Sequence, residues 1–373
     1  LQLKKIQLLN FKNYEELELS FAEGINGIVG ENGSGKTNLL DAIHFLCLSK
    51  SGFNASDSQH IRHESNFFMI QGFFQKAEKE YEVHCSLQEG KSKTLKVDKK
   101  PYSKISEHIG LFPCVLMTPY DTDIIREGSE IRRKFFDNTL SQIDKAYLNN
   151  LLKYNKLIEQ RNSLLKQFAE RNSFDKTLIE TYDAQILPLA LSIFEKRSEF
   201  VQSFIPILEN YYFFICNQKE KISLKYESDL QVADFENEFR RQIQKDLLLQ
   251  RTTKGIHKDD YIFQIGNHSI NKFGSQGQQK SYVTALKLAQ FELLSQLKQV
   301  KPLLLLDDIF DKLDDSRIKK LMELMASGKF GQVFITDARP ERTKSLFGEI
   351  KQEICLFHTR QLISSVQTKT SIP

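Results

Sequence analysis

The chain has 373 residues, of which 40% are hydrophobic, 11% aromatic and 27% charged. That balance excludes disordered and collagen-like polymers, and the length suits two domains of ordinary size. With 52 basic against 48 acidic side chains the net charge is +4, which permits a nucleic-acid partner without requiring one.

Period-two alternation predicts strands at Leu3–Leu9 and Glu16–Phe21, followed by an apolar strand at Ile25–Val29. Between Lys36 and Leu48 the spacing becomes helical, with Leu39, Leu40, Ile43 and Leu46 in register. Alternation returns at Phe67–Gln75, Glu80–Leu87 and Thr94–Val97. From about Asp121 the texture is helical. One stripe runs through Leu148, Leu151, Leu152, Ile158, Leu165 and Phe168; another runs through Ile186, Leu189, Ile193, Phe200, Phe204 and Leu208. Pro188 and Pro206 are expected to break the second stripe. A strand at Tyr261–Ile265 and a helix over Gln278–Leu297 follow. The end of the chain alternates: a strand at Leu303–Leu306, a helix near Lys319–Met325 and a strand at Gln332–Thr336. The expected organisation is an α/β lobe made of residues 1–118 and 300–373, with a mainly helical lobe, 119–299, between them.

Cys47, Cys85, Cys114, Cys216 and Cys355 have neither disulfide nor zinc spacing and read as small hydrophobes in a reducing compartment. No apolar run approaches the ~18 residues of a membrane helix. The expectation is a soluble cytoplasmic protein.

The segment Gly30-Glu31-Asn32-Gly33-Ser34-Gly35-Lys36-Thr37 fits GxxxxGK[ST] and stands between a predicted strand and a predicted helix. Glycines let successive backbone N–H groups turn toward phosphate oxygens, and the helix N-terminus adds partial positive charge. Lys36 would meet the β- and γ-phosphates, and the Thr37 hydroxyl would ligate Mg²⁺. A wholly apolar strand, Leu303–Leu306, runs into Asp307-Asp308. Such a strand suits the centre of a parallel sheet, with its carboxylates at the ligand-binding edge. Asp307 is then the Mg²⁺-directed Walker B acid, and Asp308 the group that polarises water. Phe273-Gly274-Ser275-Gln276-Gly277-Gln278-Gln279-Lys280 opens a helix. Alone it reads as a helix capped by Ser275 or Ser281. Placed between Walker A and Walker B, it has the motif order of an ABC-type ATPase head, and Phe310-Asp311-Lys312-Leu313-Asp314 matches the D-loop of that superfamily.

Over nearly its whole length the chain resembles the RecF family. The similarity is carried by Asn10-Phe11-Lys12-Asn13-Tyr14, by Gly30 to Ile43 and by Thr118-Pro119-Tyr120-Asp121. It continues through Arg132-Arg133-Lys134-Phe135-Phe136-Asp137, Leu148 to Lys166, Gly255-Ile256-His257-Lys258-Asp259-Asp260 and Ser275 to Lys280. Ile256 and Lys258 depart from that family's usual Pro and Arg, and Tyr120 from a common acid. Asp308 stands where many ABC heads carry Glu, and the shorter side chain fits a slow ATPase.

The resemblance implies an ATP- and Mg²⁺-dependent, DNA-binding switch of recombinational repair and replication. Its nucleotide would lie between Walker A of one copy and Ser275, Gly277 and Gln278 of a second. Such a homodimer would bind single-stranded and gapped duplex DNA, work with RecR-like and RecO-like mediators and promote RecA loading, with only weak ATPase activity. Thr336 or Asp121 would sense the γ-phosphate. The rival is an SMC-type chromosome or nuclease-associated head. Thr37 and Asp307 lie 270 positions apart, room for a lobe rather than a long heptad arm. Lys91, Lys93, Lys96, Lys99, Lys100 and Lys104 suit either a DNA-backbone stripe or a charged sheet edge. His257 suits a structural or a functional role equally.

Overall fold

The computed structural model describes residues 1–54, 56–216, 220–311, 314–348, 354–359 and 370–371. In chain order the first elements are β1 (Gln2–Phe11), β2 (Tyr14–Ser20), β3 (Ile25–Val29), α1 (Lys36–Leu48), β4 (Phe67–Lys76), β5 (Lys79–Gln88), β6 (Thr94–Val97), β7 (Lys100–Pro101) and β8 (Cys114–Met117). Then come α2 (Asp123–Arg126), α3 (Ser129–Ile143), α4 (Lys145–Arg171), α5 (Lys176–Cys216), β9 (Ile222–Glu227), α6 (Phe235–Arg241), α7 (Ile243–Leu249), β10 (Asp260–Ile265), β11 (His268–Ser269), α8 (Ile270–Phe273) and α9 (Gln276–Lys298). The chain closes with β12 (Leu303–Leu306), α10 (Asp315–Ala326), β13 (Val333–Asp337), α11 (Pro340–Phe347), β14 (Ile354–His358) and β15 (Thr370–Ser371). Two compact units result, residues 1–121 with 284–373, and residues 122–283. The second boundary falls inside α9, earlier than position 300.

The first unit holds two sheets. One is antiparallel, in the order β2-β1-β4-β5-β6-β7; the other runs β15-β14-β3-β13-β12-β8, with β14, β3, β13, β12 and β8 parallel. Helix α1 packs on strands of both sheets, which explains its sequence: from Leu39 to Leu48 every residue is buried, so it is apolar nearly all round. Leu39, Ile43 and Leu46 join Leu3, Ile6, Phe68, Leu303 and Phe334 in one core. Every residue of β3 and β12 is buried, as interior strands of a parallel sheet require.

In the second unit α4 and α5 pack as an antiparallel pair: Asn150 bonds Ser192, Arg161 bonds Asp183, and Leu165 and Phe168 cluster with Ile179. The expectation that Pro188 and Pro206 interrupt this stretch is corrected. Helix α5 runs unbroken for 41 residues through both prolines. Each proline removes one backbone hydrogen bond, a cost of about 3 kcal/mol in a helix interior. Burial of Ile186, Ala190, Ile193, Phe200, Phe204 and Leu208 along the same face holds the helix together against that cost. Leu152 is exposed, and Tyr147 and Tyr154 take the core positions of α4 beside Leu151 and Ile158.

Beneath these faces lie two buried ionic groups. Arg161 donates to Asp183, Asp246 and Thr252. Arg197 donates to Asp137, Asp259 and the carbonyl of Ile256, and Tyr226 donates to Asp259. These contacts tie α3, α5 and β9 to the segment before β10. Breaking one partner of such a set costs about 3–5 kcal/mol, because the other charge is left buried.

Candidate nucleotide site

The phosphate loop leaves β3 and enters α1. Gly33 and Gly35 have φ of 78° and 97°, the left-handed region where side chains are strained. At Gly35 a Cβ would also collide with the Asn13 side chain. Asn13 lies in the β1–β2 turn, where it accepts from Asn38 Nδ2 at 2.7 Å, and the neighbouring Tyr14 hydroxyl donates to the Gly35 carbonyl at 3.1 Å. From the other side, the Thr359 hydroxyl donates to Ser34 Oγ at 2.7 Å. The loop is therefore held by segments from both ends of the chain.

Helix α1 starts without a side-chain cap and has no acid in its first turn. Its amide end is thus open to an anion. Glu31, Asn32 and Gly33 are exposed, while Lys36 is buried and donates to the carbonyls of Gly30 and Glu31 at 2.9 and 3.1 Å. The Thr37 hydroxyl donates to Asp307 Oδ1 at 2.8 Å. Thr336 donates to the same oxygen at 2.9 Å and accepts from the Asp308 amide at 2.8 Å. Burial raises the Asp307 pKa above the usual carboxylate range, against the hydrogen bonds from Thr37 and Thr336. A hydroxyl and a carboxylate this close, beside a phosphate cradle, fit Mg²⁺, which takes few protein ligands and completes its shell with phosphate and water. Asp308 follows with φ of 41°, a strained backbone setting at the end of the Walker B strand.

One buttress escaped sequence reading. Asp41, on α1 behind the loop, accepts from Lys12 at 2.5 Å, Ser51 at 2.8 Å and the Gly52 amide at 2.9 Å; His60 lies 3.4 Å away. Burial works against its charge, but the contacts with His60, Lys12 and Gly52 prevail and hold its pKa well below the usual range. Only the Asn-Phe-Lys-Asn-Tyr similarity hinted that the β1–β2 turn belonged to the site.

The signature segment begins α9 in the second unit. Ser275 is exposed, and it forms a reciprocal capping box with Gln278: the Gln278 amide donates to Ser275 Oγ at 3.2 Å, and the Ser275 amide donates to Gln278 Oε1 at 2.7 Å. The Ser275 hydroxyl accepts in this bond, so its own proton can still be donated to an anion. Gln278 Nε2 donates to Glu220 at 2.7 Å, and the Gly277 carbonyl accepts from Ser281 at 3.0 Å. Behind them Gln279 is held by Arg126 and by the carbonyl of Gly274.

Asp121, His257 and Arg132 each have partners of their own. Asp121 pairs with Lys287 at 3.0 Å and accepts from the Thr118 amide at 2.7 Å. His257 is fixed between Tyr154 at 2.7 Å and the Thr252 carbonyl at 3.1 Å, and burial lowers its pKa to about 4. Both of its ring nitrogens are thereby engaged within the fold. Arg132 forks onto Asp260, and Arg133 donates to Ser129 and the Asp259 carbonyl. Lys93 pairs with Asp57, whereas Lys99, Lys100 and Lys104 are exposed at the β7 edge, where lysine and proline deter edge pairing. Of the D-loop, Lys312 and Leu313 lie outside the described residues.

The model of the RecF/RecN/SMC N-terminal domain matches residues 2–364. A DNA replication and repair protein RecF from Cytophaga hutchinsonii is 50% identical over 355 residues, 95% of this chain and 94% of that one. Its counterpart from Flavobacterium johnsoniae is 47% identical over 96% of this chain and all of that one. This chain belongs to the RecF family. The solved structure of a RecF–ATP recombination mediator of the RecFOR pathway superposes with a TM-score of 0.87 at 28% identity, covering 100% of this chain and 97% of that one. An Smc head with an extended coiled coil, from Pyrococcus furiosus, shares the fold at a TM-score of 0.56 and 17% identity, covering 99% of this chain and 96% of that one. The RecF family accordingly gives the chain its ATP-binding α/β head and its setting in DNA replication and repair. Among the described residues no helix is long and apolar enough to cross a membrane.

Proposed function

We propose that this chain is an ATP-operated DNA-binding switch that dimerises on ATP, marks gapped duplex DNA and promotes RecA loading with RecR-like and RecO-like partners in the cytoplasm. The observation that carries this reading is the direct bond from Thr37 to Asp307, which joins Walker A to Walker B at 2.8 Å. In each copy the loop from Gly30 to Thr37 would take the phosphates, with Lys36 on the β- and γ-groups. Thr37 and Asp307 would hold Mg²⁺, which neutralises phosphate charge when bound. Asp308 would orient the attacking water, and Ser275, Gly277 and Gln278 of a second copy would close over the γ-phosphate. Two such sites related by a twofold axis form an isologous dimer, the commonest oligomeric solution. Slow hydrolysis then times release from DNA.

Sedimentation without nucleotide, with ADP and with ATP, each with and without gapped DNA, tests the proposal. A dimer present only with ATP and bound to the DNA is expected. Ser275→Arg should keep ATP binding while losing dimer, hydrolysis and DNA binding together. Mixing it with Lys36→Ala should restore part of the hydrolysis, because one of the two mixed sites is intact. A dimer unaltered by Ser275→Arg refutes the two-chain site.

A further inference from the structure

Helix α9 presents Val283, Ala285, Leu286, Leu288 and Ala289 to the interior, and Lys287 lies buried among them. A buried ammonium in an apolar stretch is uncommon, and it persists where its donors are used. Here they are. Lys287 Nζ donates to the Leu116 carbonyl at 2.7 Å and pairs with Asp121 at 3.0 Å. Asp121 in turn accepts from the Thr118 amide at 2.7 Å, so the ion pair closes the turn that follows β8.

What β8 touches gives the contact its interest. It lies parallel to β12 with Met117 opposite Leu306, and the Met117 carbonyl accepts from the Asp307 amide at 2.9 Å. Lys287 therefore grips the carbonyl next to the one that holds the Walker B residue. Its own helix begins at the Ser275–Gln278 capping box, twelve residues, or ~18 Å, earlier along a continuous α9.

We propose that Lys287 is a positioning residue for ATP turnover, linking the helix of the signature segment to the strand end that sets Asp307. The ion pair with Asp121 gives it a fixed seat, and the bond to Leu116 passes any shift or rotation of α9 to the end of β8. Asp121, which the sequence suggested as a γ-phosphate sensor, then acts as the anchor of this link. The inference rests on the two-chain reading above, in which the signature segment engages a partner's nucleotide.

Lys287→Met keeps the length of the side chain and removes its charge. ATP affinity at the intact phosphate loop should stay within about twofold of the parent. Turnover should fall about tenfold or more, and ATP-dependent dimerisation should need more protein. Asp121→Asn should give the same split, and the double variant should be no worse than the more impaired single one, since both remove one link. Lys287→Arg should recover part of the turnover. Parental turnover in Lys287→Met overturns the proposal. So does a parallel loss of ATP affinity, turnover and melting temperature, the mark of a merely structural lysine. If Lys287→Met does not fold, Asp121→Asn carries the same split between affinity and turnover. The parent is measured alongside: a parent with no ATP-dependent dimer overturns the two-chain reading and this inference with it. A parent that dimerises beside an unaltered Lys287→Met overturns this inference alone.

Discussion

Thr336→Val probes whether the last interior strand supports the Walker B acid or senses the γ-phosphate. Thr336 is fully buried; it donates to Asp307 at 2.9 Å and accepts from the Asp308 amide at 2.8 Å. Valine keeps the shape and the β-branching, so no cavity opens and strand preference is unaffected. The loss is electrostatic. A hydrogen bond to a charged group contributes about 1.5–3 kcal/mol, and a buried amide left without its acceptor costs about 1–3 kcal/mol. Thr37 still donates to Asp307, which limits the damage, and about 3 kcal/mol of lost stability is expected. The Thr336 bond also opposes the burial that raises the Asp307 pKa; without it Asp307 ionises less readily. Mg²⁺-dependent affinity should therefore weaken for ADP and ATP by the same factor, more so toward acid pH. Urea unfolding and calorimetric titration with each nucleotide measure both effects, and Thr336→Ser, which keeps the hydroxyl, should recover most of each. Stability within about 0.5 kcal/mol of the parent would remove the hydrogen-bond argument. Loss of ATP affinity alone, with ADP unaffected, would make Thr336 a γ-phosphate sensor instead.

Asp308→Asn should bind Mg²⁺·ATP like the parent and remain trapped as the ATP-bound dimer, because the amide keeps the shape but cannot polarise water. Asparagine tolerates the φ of 41° at this position, so single-turnover assays report chemistry rather than misfolding; parental hydrolysis would leave Asp307 as the only acid that matters. Stability should fall as the pH drops from 6.5 toward 4. His44, His108 and His257 all have pKa values lowered to about 4, chiefly by burial, so in that window only the unfolded chain takes up their protons. Each adds up to ~1.4 kcal/mol of loss per pH unit. Calorimetry from pH 7.5 to 4.5 checks the slope, and a flat profile would mean these imidazoles protonate freely in the fold.

What could be read from sequence was whatever is decided locally. The glycines at positions 33 and 35 announce a loop with positive φ, and the leucines from 303 to 306 announce a strand buried on both faces; the structure shows both. Helix α5 was misjudged because helix propensity weighs Pro188 and Pro206 without the packed face that outweighs them. The partner of Asp121, Lys287, was not legible because it is remote in sequence and sits on a different element. Asn13 and Thr359 press on the phosphate loop from opposite ends of the chain, a relation no periodicity encodes. Strand β8, four apolar residues with no alternation, offered too little pattern to name.

The strand order of the parallel sheet also governs when the nucleotide site can exist. β3, which delivers the phosphate loop, is paired on one side with β13 and on the other with β14. Gln332 reaches back 329 positions to bond both the amide and the carbonyl of Leu3. A ribosome makes β3 long before its two neighbours, so the loop residues emerge well before anything can fix their shape. The unit of residues 122–283 is one uninterrupted stretch of chain, free to condense while the first hundred residues wait. Closing so long a loop is slow, and in the interval the apolar β3 and α1 are exposed to misassembly. ATP binding is thus acquired only after β13 and β14 have been made, and a chain cut short before β13 should emerge with its helical lobe folded and its phosphate loop unformed.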